Sequence, residues 1–91
     1  MIRWNESKNV RLKRERGLSF EMVLEKIDAN QFLSVERHPK RSNQWILVLE
    51  LNGYPHVVPF IIEEDGSWFL KTIYPSRSAK KRFGGGYNSE S

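Results

Sequence analysis

The chain has 91 residues, the size of one small domain with one modest core, and its 38% hydrophobic and 29% charged residues are those of a folded globular protein with a net charge of +4. It contains no cysteine, which excludes disulfides, thiolate metal sites and cysteine nucleophiles, and two histidines are too few for a histidine-rich metal centre, so neither a metal nor a cofactor is expected. No apolar run approaches the roughly 20 residues of a membrane span, and Met1-Ile2-Arg3-Trp4-Asn5 lacks a signal-peptide core, so the expected location is the cytoplasm, with no membrane partner.

Asn5 is a suitable helix N-cap, and Glu6 suits the positive end of a helix dipole, so a first helix is expected from Glu6 to about Arg16, closed by Gly17 in the left-handed position. Between Lys8 and Arg16 its five cations, Lys8, Arg11, Lys13, Arg14 and Arg16, face a single acid, Glu15, and its apolar content is thin, so it should lie at the surface. Ser19 caps a second helix in which Phe20, Val23, Leu24 and Ile27 follow the spacing of one buried face.

From Gln31 the period changes to two. Leu33, Val35 and Arg37 share one side of a first strand and Ser34 and Glu36 the other, ending in the polar loop from His38 to Asn43. Trp45 to Leu51 reads as a central strand, Asn52-Gly53 as a tight hairpin turn needing positive φ at both positions, and Tyr54 to Glu63 as the returning strand. Pro55 and Pro59 cannot donate to a ladder, so an edge or a bulge is expected there. After the turn Glu64-Asp65-Gly66, a last strand from Ser67 to Tyr74 is expected to alternate Trp68, Leu70 and Thr72 against Phe69, Lys71 and Ile73. Trp45 and Trp68 should pack the sheet, and packing is also the expected role of Trp4.

Beyond Pro75, a short helix from Ser76 to Phe83 carries Arg77, Lys80, Lys81 and Arg82 without an intervening acid, and 84–91 reads as a flexible Gly/Ser tail. The fold class is therefore α+β: two N-terminal helices on a four-stranded antiparallel meander, with a short C-terminal helix, in a single domain spanning 1–83. Clustered Lys and Arg make phosphate the natural partner, because such side chains release condensed counterions on contact with a nucleic acid.

The opening Trp4-Asn5-Glu6-x-Lys8-Asn9, the start of the second helix at Gly17-Leu18-Ser19-Phe20-Glu21, the strand pair around Asn52-Gly53 and the closing Ile73-x-x-Ser76-Arg77-x-Ala79 together resemble the BrnT family of toxins, over about Ile2 to Phe83. The chain departs from that family at Glu15-Arg16, where a Lys-His pair is usual, and at Lys81-Arg82-Phe83, where an acid is usual. The resemblance implies a RelE-like fold and a metal-independent ribonuclease toxin, neutralised by a DNA-binding antitoxin of the ribbon-helix-helix type.

Cutting RNA without a metal requires attack by the 2′-hydroxyl on the adjacent phosphate, which calls for a group to hold the developing charge and groups to move two protons. Arg77, which matches the closing motif and follows Pro75, is expected to grip the phosphate. His38 is the expected base, as histidine is the residue type suited to proton transfer near neutral pH, with Tyr74 and Lys71 as alternative catalytic groups and Glu36 a base if it faces the same cleft. His56 reads as an ordinary strand residue. Lys80, Lys81, Arg82, Arg37, Lys8 and Arg11 are expected to bind flanking RNA phosphates. The competing reading is a non-catalytic module that uses the same basic surface to hold a nucleic acid or a protein.

Overall fold

The structure is a computed structural model that describes residues 1–84. In chain order it contains β1 (Ile2–Trp4), α1 (Glu6–Arg16), α2 (Phe20–Asp28), β2 (Ser34–Arg37), β3 (Gln44–Leu51), β4 (Tyr54–Ile62), β5 (Trp68–Leu70), β6 (Tyr74–Pro75) and α3 (Arg77–Ala79), which runs on as a π-helical turn, Lys80–Gly84. Of the tail expected over 84–91, Gly84 ends the π-helical turn, and residues 85–91 lie outside the described residues.

Local chemistry sets the helix ends. The Asn5 side chain accepts the Lys8 amide at 3.0 Å, and Gly17, at φ 66°, returns its own N–H to the last turn of α1. The Ser19 hydroxyl accepts from the Met22 amide at the start of α2. The two helices are then locked together by Asn9. Its Nδ2 donates to Glu21 at 2.8 Å and its Oδ1 accepts the Phe20 amide at 2.8 Å, while the residue is completely buried. Two pieces of the motif pattern, separated by a helix in sequence, thus meet in one hydrogen-bonded joint. The reason to place Asn and Glu there is structural: an amide buried at the head of α2 needs an acceptor, and only a side chain can supply it.

The sheet order is β1-β5-β4-β3-β2, with β6 paired to β4 beyond the end of β5. The expected antiparallel meander is β2 to β5, with Asn52 and Gly53 at φ 54° and 77° closing the central hairpin. Two short strands extend it. β1 pairs parallel with β5, Ile2 opposite Trp68 and Trp4 opposite Leu70, so the sheet is mixed rather than wholly antiparallel. β6 results from an interruption of the last strand. Phe60 opposes Leu70 and Val57 opposes Tyr74, which is three steps along β4 against four along its partner.

That extra residue is the bulge expected near the prolines, and it sits on the partner strand. Pro59 and Pro55 accept the Lys71 and Ser76 amides through their carbonyls. Because the N–H and C=O of one strand residue point to the same edge, both missing donors also face the β5–β6 side. The β3–β4 ladder loses nothing, and β4 remains central. The bulge also shifts the expected alternation: Leu70 and Ile73, not Leu70 and Thr72, are fully buried.

The helix-side core packs Leu12, Phe20 and Val23 against Leu47, Leu49, Leu51, Val58, Phe60, Leu70 and Ile73. Trp4 stacks on Phe20 at 5.6 Å and Trp68 on Phe60 at 4.1 Å, as packing roles for these rings require. The opposite side is thinner. There Val48, Val57 and Ala79 are buried, with Ile46 and Phe83 against them, so the C-terminal helix rests on the sheet through few apolar groups. Each fully buried large apolar side chain contributes about 1.5–3 kcal/mol, so this layer is held far less firmly than α2.

Candidate active site

The end of α1, the tip of the β3–β4 hairpin and β6 converge on one open cleft of about 420 Å³. Arg16, Tyr54 and His56 supply its polar lining, with Leu18, Leu51 and Pro75 as apolar wall, Tyr74 at its border and Asn52 at the hairpin tip. No acid lines it. A second depression of about 360 Å³, near Lys26, Phe32, Leu33 and Glu50, gathers no histidine, tyrosine or arginine and offers less chemistry despite its similar size.

The bulge and the end of α1 position the arginine. Arg16 Nη1 donates to the Ile73 carbonyl at 3.2 Å, in the stretch where the strand leaves the regular ladder. The rest of its guanidinium is free to grip an anion in two places, since Arg16 is exposed and makes no other hydrogen bond or ion pair among the described residues.

His56 is only 7% exposed, and its Nδ1 lies 2.7 Å from the Tyr54 carbonyl. A carbonyl can only accept, so Nδ1 carries the hydrogen, and in the neutral ring Nε2 keeps its lone pair. The Tyr54 ring stands edge-on to His56 at 6.1 Å, and the Lys80 ammonium lies 5.6 Å from the centroid of that ring. Lys80 therefore brings the C-terminal helix to the border of the cleft.

Of the residues expected from sequence to be catalytic, Tyr74 borders the cleft and is 41% exposed, but its pairing with Val57 turns its side chain to the Val48–Val57 face, where it also lines the depression that holds Glu36 and Arg82. Arg77 begins the helix that Ser76 caps, is exposed, and shares a helix flank with Lys80 three residues on, which puts it beside the cleft rather than in it. Lys71 is exposed within the bulge, with its amide on the Pro59 carbonyl. His38 lies elsewhere. It sits beyond β2, at the end of the sheet where β3 begins, three strand spacings and about four residues from Tyr74, on the order of 20 Å. Its Nδ1 accepts the amides of Lys40 and Arg41 at 3.0 and 3.2 Å, so the ring folds its own loop. Glu36 does not face the cleft either, being engaged with Arg82 on the opposite side of the sheet.

The residues expected to bind RNA also divide. Lys80 borders the cleft and Lys81 is exposed beside it. Arg82 is bound by Glu36, whose carboxyl is held below its ordinary value first by that guanidinium and then by the Ser34 hydroxyl. Arg37 lies over the Trp45 ring at 5.3 Å and bonds the Ser42 carbonyl, pinning the β2–β3 loop. Lys8 and Arg11 are on the same helix as Arg16, roughly 12 and 8 Å before it along the axis.

Arg16 and His56 are thus the cleft residues to which sequence reading gave no role. Arg16 carried a signal, standing at one of the two places where the chain departs from the family pattern. His56 carried none, since alternation along β4 puts it on the face of Val58 and Phe60. Among the described residues no helix is long and apolar enough to cross a membrane, and no group of three or more His, Cys, Asp or Glu side chains is placed to hold a metal ion.

Neither the protein-family models nor the curated proteins contain a match to this sequence. Among solved structures, the ribonuclease toxin BrnT of Brucella abortus superposes with a TM-score of 0.59, covering 82% of this chain and 94% of that one at 21% identity. The chain has the BrnT fold. The likeness expected from the order of the motifs holds at the level of architecture, across nearly the whole of BrnT. In this chain the Asn9–Glu21–Phe20 joint holds the two helices together and the Asn52-Gly53 turn closes the central hairpin.

Proposed function

We propose that the protein is a metal-independent endoribonuclease that acts in the cytoplasm as the toxin of a type II toxin–antitoxin pair. The observation that carries the reading is the placement of an imidazole with an open Nε2 and an arginine fork in one acid-free cleft, on the fold of a ribonuclease toxin. In this mechanism His56 Nε2 takes the proton of the 2′-hydroxyl as its oxygen attacks the adjacent phosphorus. The bond to the 5′-oxygen breaks, a water at the open mouth of the cleft protonates that oxygen, and the products are a 2′,3′-cyclic phosphate and a 5′-hydroxyl. Arg16 and Arg77 hold the charge that develops on the phosphoryl oxygens, and Lys80, Lys81 and Lys71 attract the flanking backbone.

The magnitudes are sufficient. Proton transfer by a positioned group is worth about 10²–10⁴ in rate, and a donor aimed at developing charge about 10²–10³. The proposed partner in the resting state is an antitoxin of the DNA-binding, ribbon-helix-helix kind, which would hold the toxin inactive.

Incubating the purified protein with RNA in EDTA tests the reading. Fragments ending in 2′,3′-cyclic phosphate are expected, with cleavage reduced more than about tenfold in Arg77→Ala at unchanged folding. Intact RNA over a wide range of protein, bound with an affinity that falls steeply with salt, would instead indicate a non-catalytic binding module.

A further inference from the structure

We infer that Asn52 makes the cleft selective for one base, adenine, next to the bond that is cut. The inference rests on the ribonuclease reading and adds to it the recognition of the substrate. Asn52 is the one neutral amide in the cleft lining, and its side chain forms no hydrogen bond among the described residues. It stands at φ 54° in the hairpin tip, with Gly53 at 77°. The pairing of Leu51 with Tyr54 closes the turn, so the amide is carried on a rigid two-residue loop.

The wall beside it is apolar, formed by Leu18, Leu51 and Pro75, which suits the face of an unpaired base and gives that base no competing hydrogen bond. Two strand residues beyond Tyr54, about 7 Å along β4, is His56. A base held at Asn52 therefore leaves its own ribose and phosphate toward His56 and Arg16. The volume of about 420 Å³ accommodates one nucleotide, within the roughly 300–1,000 Å³ of small-molecule clefts. An amide that offers a donor beside an acceptor pairs in two places with the amino group and ring nitrogen of adenine, the pairing for which Asn is favoured at base edges. Cytosine offers the same pair of groups, and the larger purine face, which covers more of the apolar wall, favours adenine over it.

The test compares wild type with Asn52→Gly, which retains the turn because glycine adopts positive φ freely, and with Asn52→Asp, which replaces the donor by an acceptor. One arm sequences the ends of a randomised RNA pool cut by each protein. The other titrates each protein with the four nucleoside 3′-monophosphates. The expected result is an adenine preference of about tenfold at one position beside the cut in wild type, matched by tighter binding of the adenosine nucleotide. Both preferences should disappear in the two variants, while Asn52→Gly still cuts. A wild type without adenine preference, or a preference that survives both substitutions, overturns the inference. If wild type cuts nothing, the ribonuclease reading fails, and the titration alone decides: selective binding of the adenosine nucleotide lost in Asn52→Gly supports adenine recognition, and equal binding of all four refutes it.

Discussion

Replacing Asn9 with Ala should unfold the joint between the first two helices without touching the cleft. The substitution removes the acceptor of the Phe20 amide, and Phe20 is itself completely buried, so that N–H has neither side chain nor water to bond. Leaving such a donor unsatisfied costs about 1–3 kcal/mol, to which the space vacated by the rest of the amide adds about one more by comparison with small buried truncations. The bond to Glu21 adds little, because that carboxylate is exposed and keeps Lys13 at 3.6 Å. The total is about 2–4 kcal/mol, and at about 4–8 °C per kcal/mol for a domain of this size the midpoint should fall by about 8–32 °C. Asn9→Asp retains the acceptor and should lose less. Thermal unfolding followed by circular dichroism measures both, and RNA cleavage well below the lowered midpoint should stay near wild type. A midpoint within about 2 °C of wild type, or lost cleavage in a folded Asn9→Ala protein, would refute the assignment of this motif residue to the fold.

Three further outcomes follow from the same geometry. The Glu36 carboxyl is held below its ordinary value of 4.5 by Arg82 and then Ser34, so its contribution is present above that value and is lost as the pH falls through the lowered one. Acidification should therefore loosen the C-terminal helix, seen as faster exchange of the Ala79 and Lys80 amides in wild type and no such acid step in Glu36→Gln. Arg16→Ala should cut RNA at least about a hundredfold more slowly, with a midpoint within a few degrees of wild type, because the arginine is exposed and gives only one hydrogen bond to the fold. Leu47→Ala removes a side chain with no exposed surface from the centre of the helix-side core and should cost about 2–5 kcal/mol in a denaturant titration.

Much of the fold was legible because its determinants are local. Asn5, Ser19 and Gly17 announce helix ends through the hydrogen bonds they make, and Asn52-Gly53 announces a turn through its φ angles. The class α+β and the β2–β5 meander follow from them. What escaped is what depends on distant partners. β1 is three residues long and pairs with a strand more than sixty residues away, so no period or turn betrays it. The prolines signalled a bulge, but which strand would carry it depends on the edge their missing donors face, and that is fixed only when β4 lies between two neighbours.

The cleft was half legible. Arg77, beside the cleft, follows from the closing motif and Tyr74, at its border, from the end of the last strand, whereas His56 looks like a core residue from alternation alone. It differs from Val58 in lying where the helix layer ends, with the end of α1 at Arg16 bordering it instead of covering it. His38, suggested by its basic neighbours Arg37, Lys40 and Arg41, occupies a loop whose amides it accepts. Charge density along the chain did not translate into a shared site, because Arg82 and Arg37 are engaged elsewhere by Glu36, Trp45 and the Ser42 carbonyl.

The central claim is that RNA is cut in the cleft of Arg16 and His56. The most direct measurement is the single-turnover rate of RNA cleavage by His56→Gln and His38→Gln, each checked for folding by its unfolding midpoint. The account predicts that His56→Gln loses about a hundredfold or more while His38→Gln cuts within a few-fold of wild type. Full activity in a folded His56→Gln protein, with loss in His38→Gln, would contradict it.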